Sequence, residues 1–187
     1  MKVLIACEYS GVVRDAFAAR GHEAYSCDLL PTEKPGNHYQ GNVFDILYDG
    51  WDLMIAHPPC TYLANSGVRW LKDNNQRWND MVDAAIFFRA LLKAPINKIA
   101  IENPIMHKYG INEIGQKYSQ IIQPWQFGHG ETKATCLWLK GLHTLLPTKI
   151  VSGREQRVWK LPPGPDRWKE RSRTFQGIAD AMAKQWG

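Results

Sequence analysis

Trp51-Asp52-Leu53-Met54-Ile55-Ala56-His57-Pro58-Pro59-Cys60 is the stretch on which the fold turns. Asp52–Ala56 is an apolar run short enough for a strand buried on both faces, which is the signature of a parallel sheet. The two prolines that follow fix φ and remove two N–H donors, so the chain leaves the strand through a stiff turn. Cys60 is thereby presented just past a strand end, where open α/β sheets carry their ligand crevices. The residues alone leave two readings of the thiol open, a mounted nucleophile and an incidental cysteine in a rigid loop.

Working outward, Lys2–Cys7, His22–Cys27, Gln40–Val43 and Lys98–Ile101 read as further strands. Gly11–Arg20, Asn79–Lys93 and Asn112–Ser119 read as helices. In Asn79–Lys93, Met81, Ala85, Phe88 and Leu92 form an apolar stripe, and Pro95 stops the run. Ile121–Phe127 and Ala134–Leu139 read as two late strands forming a hairpin. Ser172–Lys184 is a closing helix, with Ser172 or Thr174 as its cap. Alternating strands and helices predict an α/β fold, a mostly parallel doubly wound sheet with an antiparallel hairpin at one edge.

The chain has 187 residues, expected to form a single domain over 1–187. No run approaches the length of a membrane span, and Met1–Ala6 enters a strand directly, without the longer apolar stretch of a secretory leader. A cytoplasmic location is therefore expected. Cys7, Cys27, Cys60 and Cys136 are scattered without a CxxC pair, so no metal site is expected and the thiols should be free.

The formal charge is +5, and the stretch from Lys149 to Arg173 alone carries eight Lys/Arg against Glu155, Asp166 and Glu170. Trp159 and Trp168 lie in the same stretch. Cations mixed with indoles suit a polyanion whose bases can stack, so nucleic acid is the expected partner.

Acidic and glycine features recur at the early strand ends. Glu8-Tyr9-Ser10-Gly11 joins the first strand to the first helix, where glycine allows close backbone approach and a helix start offers free N–H groups. Asp28 ends the second strand, the position of a ribose-binding carboxylate in nucleotide-binding sheets. Asp45, after the third strand, could accept from an adenine amino group. Glu102-Asn103-Pro104 follows the strand expected beside that of Cys60, which turns Glu102 towards the thiol. A buried carboxyl there can stay protonated and donate to a base.

These motifs, in this order, resemble the DNA cytosine-C5 methyltransferases, in a compact form like those of phages and prophages. Tyr9-Ser10-Gly11 resembles the cofactor loop, Asp28 and Asp45 the ribose-side and adenine-side acids, Pro58-Pro59-Cys60 the nucleophile motif and Glu102-Asn103 the glutamate motif. The resemblance covers about residues 1–140. It implies a Rossmann-like class I methyltransferase fold and use of S-adenosylmethionine, held by Glu8, Tyr9, Ser10, Gly11, Asp28, Asp45 and Pro58. It implies Cys60 as nucleophile on C6, Glu102 as donor to N3, and Asn103 holding the glutamate segment or the base. Pro59, Ser66, Arg69 and Lys133 would face the substrate, expected to be DNA.

Two departures stand out. A sizeable recognition domain is expected between the late strands and the last helix, yet only a basic segment of about residues 141–171 stands there. The arginine-bearing pattern after the glutamate motif is replaced by Gln126–Lys133. Methylation of a free cytosine nucleotide or of RNA, and a catalytically inactive cofactor- or DNA-binding subunit, are the alternative readings.

Overall fold

The computed structural model describes residues 1–72 and 74–187. Seven strands form one sheet: β1 (Lys2–Ala6), β2 (Glu23–Asp28), β3 (His38–Gln40), β4 (Leu53–Ala56), β5 (Lys98–Pro104), β6 (Gln120–Ile122) and β7 (Thr135–Lys140). Their order is β3-β2-β1-β4-β5-β7-β6. The first five are parallel; β7 runs antiparallel to both β5 and β6. This is the doubly wound sheet with an antiparallel edge that the strand spacing predicts.

Both faces are covered because successive strand residues point to opposite sides. On one side Leu4, Met54, Ile99 and Trp138 pack against Met81, Ala85, Phe88 and Leu91 of helix α2 (Asn75–Leu92). On the other, Val3, Ile5, Leu53 and Leu137 meet Val13 and Phe17 of α1 (Val12–Ala18) and Ile178, Ala179 and Met182 of α6 (Gln176–Trp186). The remaining helices are α3 (Lys108–Ile114), α4 (Arg157–Lys160) and α5 (Arg167–Ser172).

Local chemistry moves several boundaries from their expected places. β3 ends at Gln40, because the Asn42 side chain accepts from the Phe44 N–H and starts a 3-10 turn over Val43–Asp45. Asp45 therefore closes that turn, not a strand. Asn74 accepts from the Arg77 N–H and starts α2 one turn early. α3 lies earlier than Asn112–Ser119: the His107 ring accepts from the Gly110 N–H, and Gly115, at φ 76°, ends the helix. β5 runs on to Pro104 because β7 pairs with it to that point, so Glu102 and Asn103 lie within the strand. β6 stops at Ile122, before the 3-10 turn Pro124–Gln126. Neither Ser172 nor Thr174 caps α6, which follows Phe175 without a side-chain cap. Both hydroxyls are engaged elsewhere.

Candidate active site

At the end of β1 the backbone turns through Cys7, the one residue other than glycine at positive φ (58°) among the described residues. A side chain at such a φ costs about 1 kcal/mol or more. The kink swings the next residue, Glu8, beneath the start of α1. Its carboxyl accepts from the N–H groups of Val13 (2.7 Å) and Arg14 (3.2 Å) and from the Ser10 hydroxyl (3.2 Å). The free N–H groups expected at this helix start are thus already occupied by the chain's own acid. Gly11, at φ 71°, completes the turn, and a Cβ there would strike the buried Arg14 guanidinium.

From β4 the chain passes through His57, Pro58 and Pro59 to Cys60, whose carbonyl accepts from Leu63 and Ala64. β4 pairs with β5 in parallel, placing Ala56 opposite Ile101. The residues that follow, His57 after β4 and Glu102 in β5, face each other. His57 Nδ1 lies 2.9 Å from Glu102 Oε2, and the Thr174 hydroxyl donates to the same oxygen over 3.3 Å.

Burial alone would push the Glu102 carboxyl up. The hydrogen bond and charge of His57, with Lys133 and Thr174, outweigh it and hold the carboxyl well below the usual carboxylate range. Burial opposes charge on His57 too, but Glu102 and Glu8 raise it above its ordinary value. Both directions favour a charged His57–Glu102 pair over the protonated Glu102 expected from the sequence. Burial also pushes the Cys60 thiol up, while Lys133 and Arg171 pull it down.

These groups share one cleft of about 140 Å³. Its walls are the Cys7–Ser10 loop, the His57–Cys60 turn, Glu102 with Pro104, Lys133, and Arg171–Thr174. The last segment straps the cleft. The Tyr9 hydroxyl meets the Ser172 hydroxyl at 3.0 Å and the Lys169 carbonyl at 3.3 Å. Arg173 pairs with Glu33 at 2.8 Å, and Lys133 Nζ donates to the Arg173 carbonyl.

Of the residues expected from the sequence, Glu8, Tyr9, Ser10, Pro58, Pro59, Cys60, Glu102 and Lys133 line the cleft. Gly11, Asp28, Asp45, Asn103, Ser66 and Arg69 do not. Asp28 ends β2, and its carboxyl is pushed up by burial. Asp45 accepts from the Tyr39 hydroxyl. Asn103 follows Glu102 in the strand and so points to the opposite face, 1% exposed, with neither amide atom hydrogen bonded. Ser66 and Arg69 are exposed on the 3-10 turn Asn65–Leu71. His57, Arg171 and Thr174 are functional candidates that the motifs did not flag. Only His57 left a signal, by standing directly before the two prolines.

No protein-family model matches the chain, and no curated protein is significantly similar to it. Solved structures do resemble it. An E. coli prophage-encoded protein, provisionally described as a DNA modification methyltransferase, superposes with a TM-score of 0.52 at 13% identity, over 86% of this chain and 55% of that one. A methyltransferase of Entamoeba histolytica gives 0.49 at 16% identity, over 83% of this chain and 57% of that one. The chain thus spans little more than half the length of each. The first likeness and the strand order agree on the fold, a mostly parallel Rossmann-like sheet with an antiparallel edge.

Proposed function

We propose that this protein transfers a methyl group from S-adenosylmethionine to C5 of cytosine in DNA, through a transient bond between Cys60 and C6. The observation that carries this reading is one cleft containing the Cys60 thiol, the His57–Glu102 pair and the Glu8–Ser10 loop. The description of the prophage protein as a DNA modification methyltransferase agrees with it.

The residues fit the donor. The carboxyls of Glu8 and Glu102 suit a cationic sulfonium, and the loop that would hold the donor opens into the same space as the thiol. Glu8, Tyr9, Ser10 and Pro58 would line its site, with Asp28 at the end of β2 and Asp45 in the 3-10 turn after β3 towards the sheet edge. When bound, S-adenosylmethionine supplies an electrophilic methyl group.

The chain's own residues do the rest. C5 of cytosine is a poor nucleophile until C6 is attacked, which calls for a thiolate. Cys60 gives up its proton to solvent, with Lys133 and Arg171 favouring the anion, and bonds to C6. Electron density moving onto the ring is relieved at N3 by a proton from Glu102. Glu102 obtains that proton from His57 along the 2.9 Å contact, leaving the imidazole neutral. After methylation a base removes the C5 proton, the S–C6 bond breaks, and N3 returns its proton to the pair.

An oligonucleotide containing 5-fluorocytosine should trap the covalent species, because fluorine cannot leave as a proton. The expected result is a denaturation-resistant adduct that needs the cofactor and disappears in Cys60→Ser. Methyl incorporation without any Cys60 dependence would overturn this reading. Transfer to free dCMP alone would favour the nucleotide alternative, for which the short segment between β7 and α6 speaks.

A further inference from the structure

We infer that the exposed indoles around the Cys60 cleft form a stacking surface for single-stranded DNA, and that the strand, not the duplex, is the form this protein engages. The choice of DNA rests on the methyl-transfer reading; the preference for a single strand rests on the surface itself.

Three tryptophans stand out of the protein: Trp159 is 70% exposed, Trp70 56% and Trp168 50%. A large aromatic side chain normally gives up most of its surface to the core or to an interface. These three belong to two arms that flank the thiol. One arm is the 3-10 turn Asn65–Leu71, where Gly67 folds back against the Thr61 carbonyl, one residue past Cys60. The Arg77 guanidinium, donating to that carbonyl, fixes the fold-back. The other arm is the α4–α5 pair, clamped by Arg167, which donates to the carbonyls of Leu161 and Trp159. Trp168 on α5 packs against Tyr9 with ring centroids 5.8 Å apart, and Arg171 on the same helix lines the cleft.

Each arm pairs an indole with positive charge. The Arg69 guanidinium lies 4.6 Å from the Trp70 ring centroid, and Lys169 Nζ lies 5.7 Å from that of Trp168. Arg69, Lys160 and Arg171 take part in none of the ion pairs among the described residues. Lys169 also pairs with Asp166, whereas Arg69 beside Trp70 and Lys160 next to Trp159 in the chain are free of ion pairs among the described residues. Exposed rings and such cations are the two components of a single-strand site, one for base faces and one for phosphates.

A duplex offers such a surface little. Its base faces are stacked on one another, so an indole meets only edges and backbone. Reading those edges takes a helix or ribbon laid in the major groove. α4 has four residues and α5 six, too short to lie along a groove. A single strand presents its base faces freely, and a base entering the Cys60 cleft from it pays no unpairing energy.

The test is binding by fluorescence anisotropy at one low salt concentration, using the full chain and three labelled probes: oligo(dT), oligo(rU) and a random-sequence duplex. Oligo(dT) should bind about tenfold tighter than the duplex, and Trp70→Ala and Trp159→Ala should each weaken it about tenfold. Trp159→Phe, which keeps an aromatic face, should restore most of the loss. Duplex binding as tight as oligo(dT), indifference to both alanine variants, or a preference for oligo(rU) would each overturn the inference. Oligo(dT) carries no cytosine, so this outcome is independent of the adduct experiment. Adducts forming on duplex while oligo(dT) binds weakly would overturn the stacking surface alone. Absent adducts with tight oligo(dT) binding would overturn the methyl-transfer reading alone.

Discussion

The His57–Glu102 contact is the residue-scale feature that most changes the chemistry. Both side chains are largely enclosed, at 13% and 11% exposure, so neither is stable alone in its charged form. His57 is raised above its ordinary value and Glu102 is held below its own. The histidine contribution to stability is complete below about pH 6.5 and is lost as pH rises through the raised value. The glutamate contribution is present above the ordinary carboxylate range and is lost as pH falls through the depressed value. The pair thus stabilises the fold between those two limits. Urea unfolding should show stability falling as pH climbs past the raised histidine value, a fall absent in His57→Gln. His57→Ala, which strands a buried carboxylate, should cost about 3 kcal/mol near neutral pH. An unchanged pH profile in the Gln variant would remove the pair from the account. The Pro-Pro-Cys turn and Glu102 were legible in the sequence, since each sits at the end of an apolar run. The pairing of His57 was not, because its partner lies on a different strand and nothing local announces the contact.

The element that controls the cleft is α5 with the residues just after it. Its contacts with Tyr9, Glu33 and Glu102 hold it across the cleft in which the proposed donor would bind. Segments of this kind open and shut in other enzymes to admit substrate and exclude water. Arg173 and Glu33 are 36% and 31% exposed, so their ion pair is screened and contributes under about 1 kcal/mol to stability. Glu33→Gln should therefore leave the melting temperature nearly unchanged while raising the association rate of S-adenosylmethionine several-fold in stopped-flow measurements. An unaltered rate would show that the strap does not gate entry. Elements of this size escape sequence reading: α4 and α5 span four and six residues, too few for a helical period to register. Boundaries escape for a related reason. The start of α3 depends on the His107 ring acting as a cap, which no apolar period marks, whereas α2 and α6 announce themselves by long apolar stripes.

At the scale of the whole molecule, the doubly wound, mostly parallel class with its antiparallel edge, though not the full strand order, is legible in the alternation of apolar runs and helices. The placement of charge was readable too, but not its pairing. Of the basic residues between Lys149 and Arg173, Arg157, Lys169 and Arg173 are neutralised by Glu131, Asp166, Glu170 and Glu33. The +5 of the chain therefore overstates what a nucleic acid would meet at the cleft. Counterion release gives this a measurable form, because each phosphate neutralised on a single strand lowers the slope of log K against log salt by about 0.7. With Arg69, Lys160 and Arg171 as the cations in position, oligo(dT) binding should show a slope of about −2. Arg171→Gln should make it shallower by about one phosphate. Lys149, Arg154 and Arg167 also take part in no ion pair among the described residues and would steepen the slope to about −4 if they too met phosphates. A slope steeper still would mean that residues now held in ion pairs, Arg157, Lys169 or Arg173, leave their carboxylates on binding, which ties the strap across the cleft to the arrival of DNA.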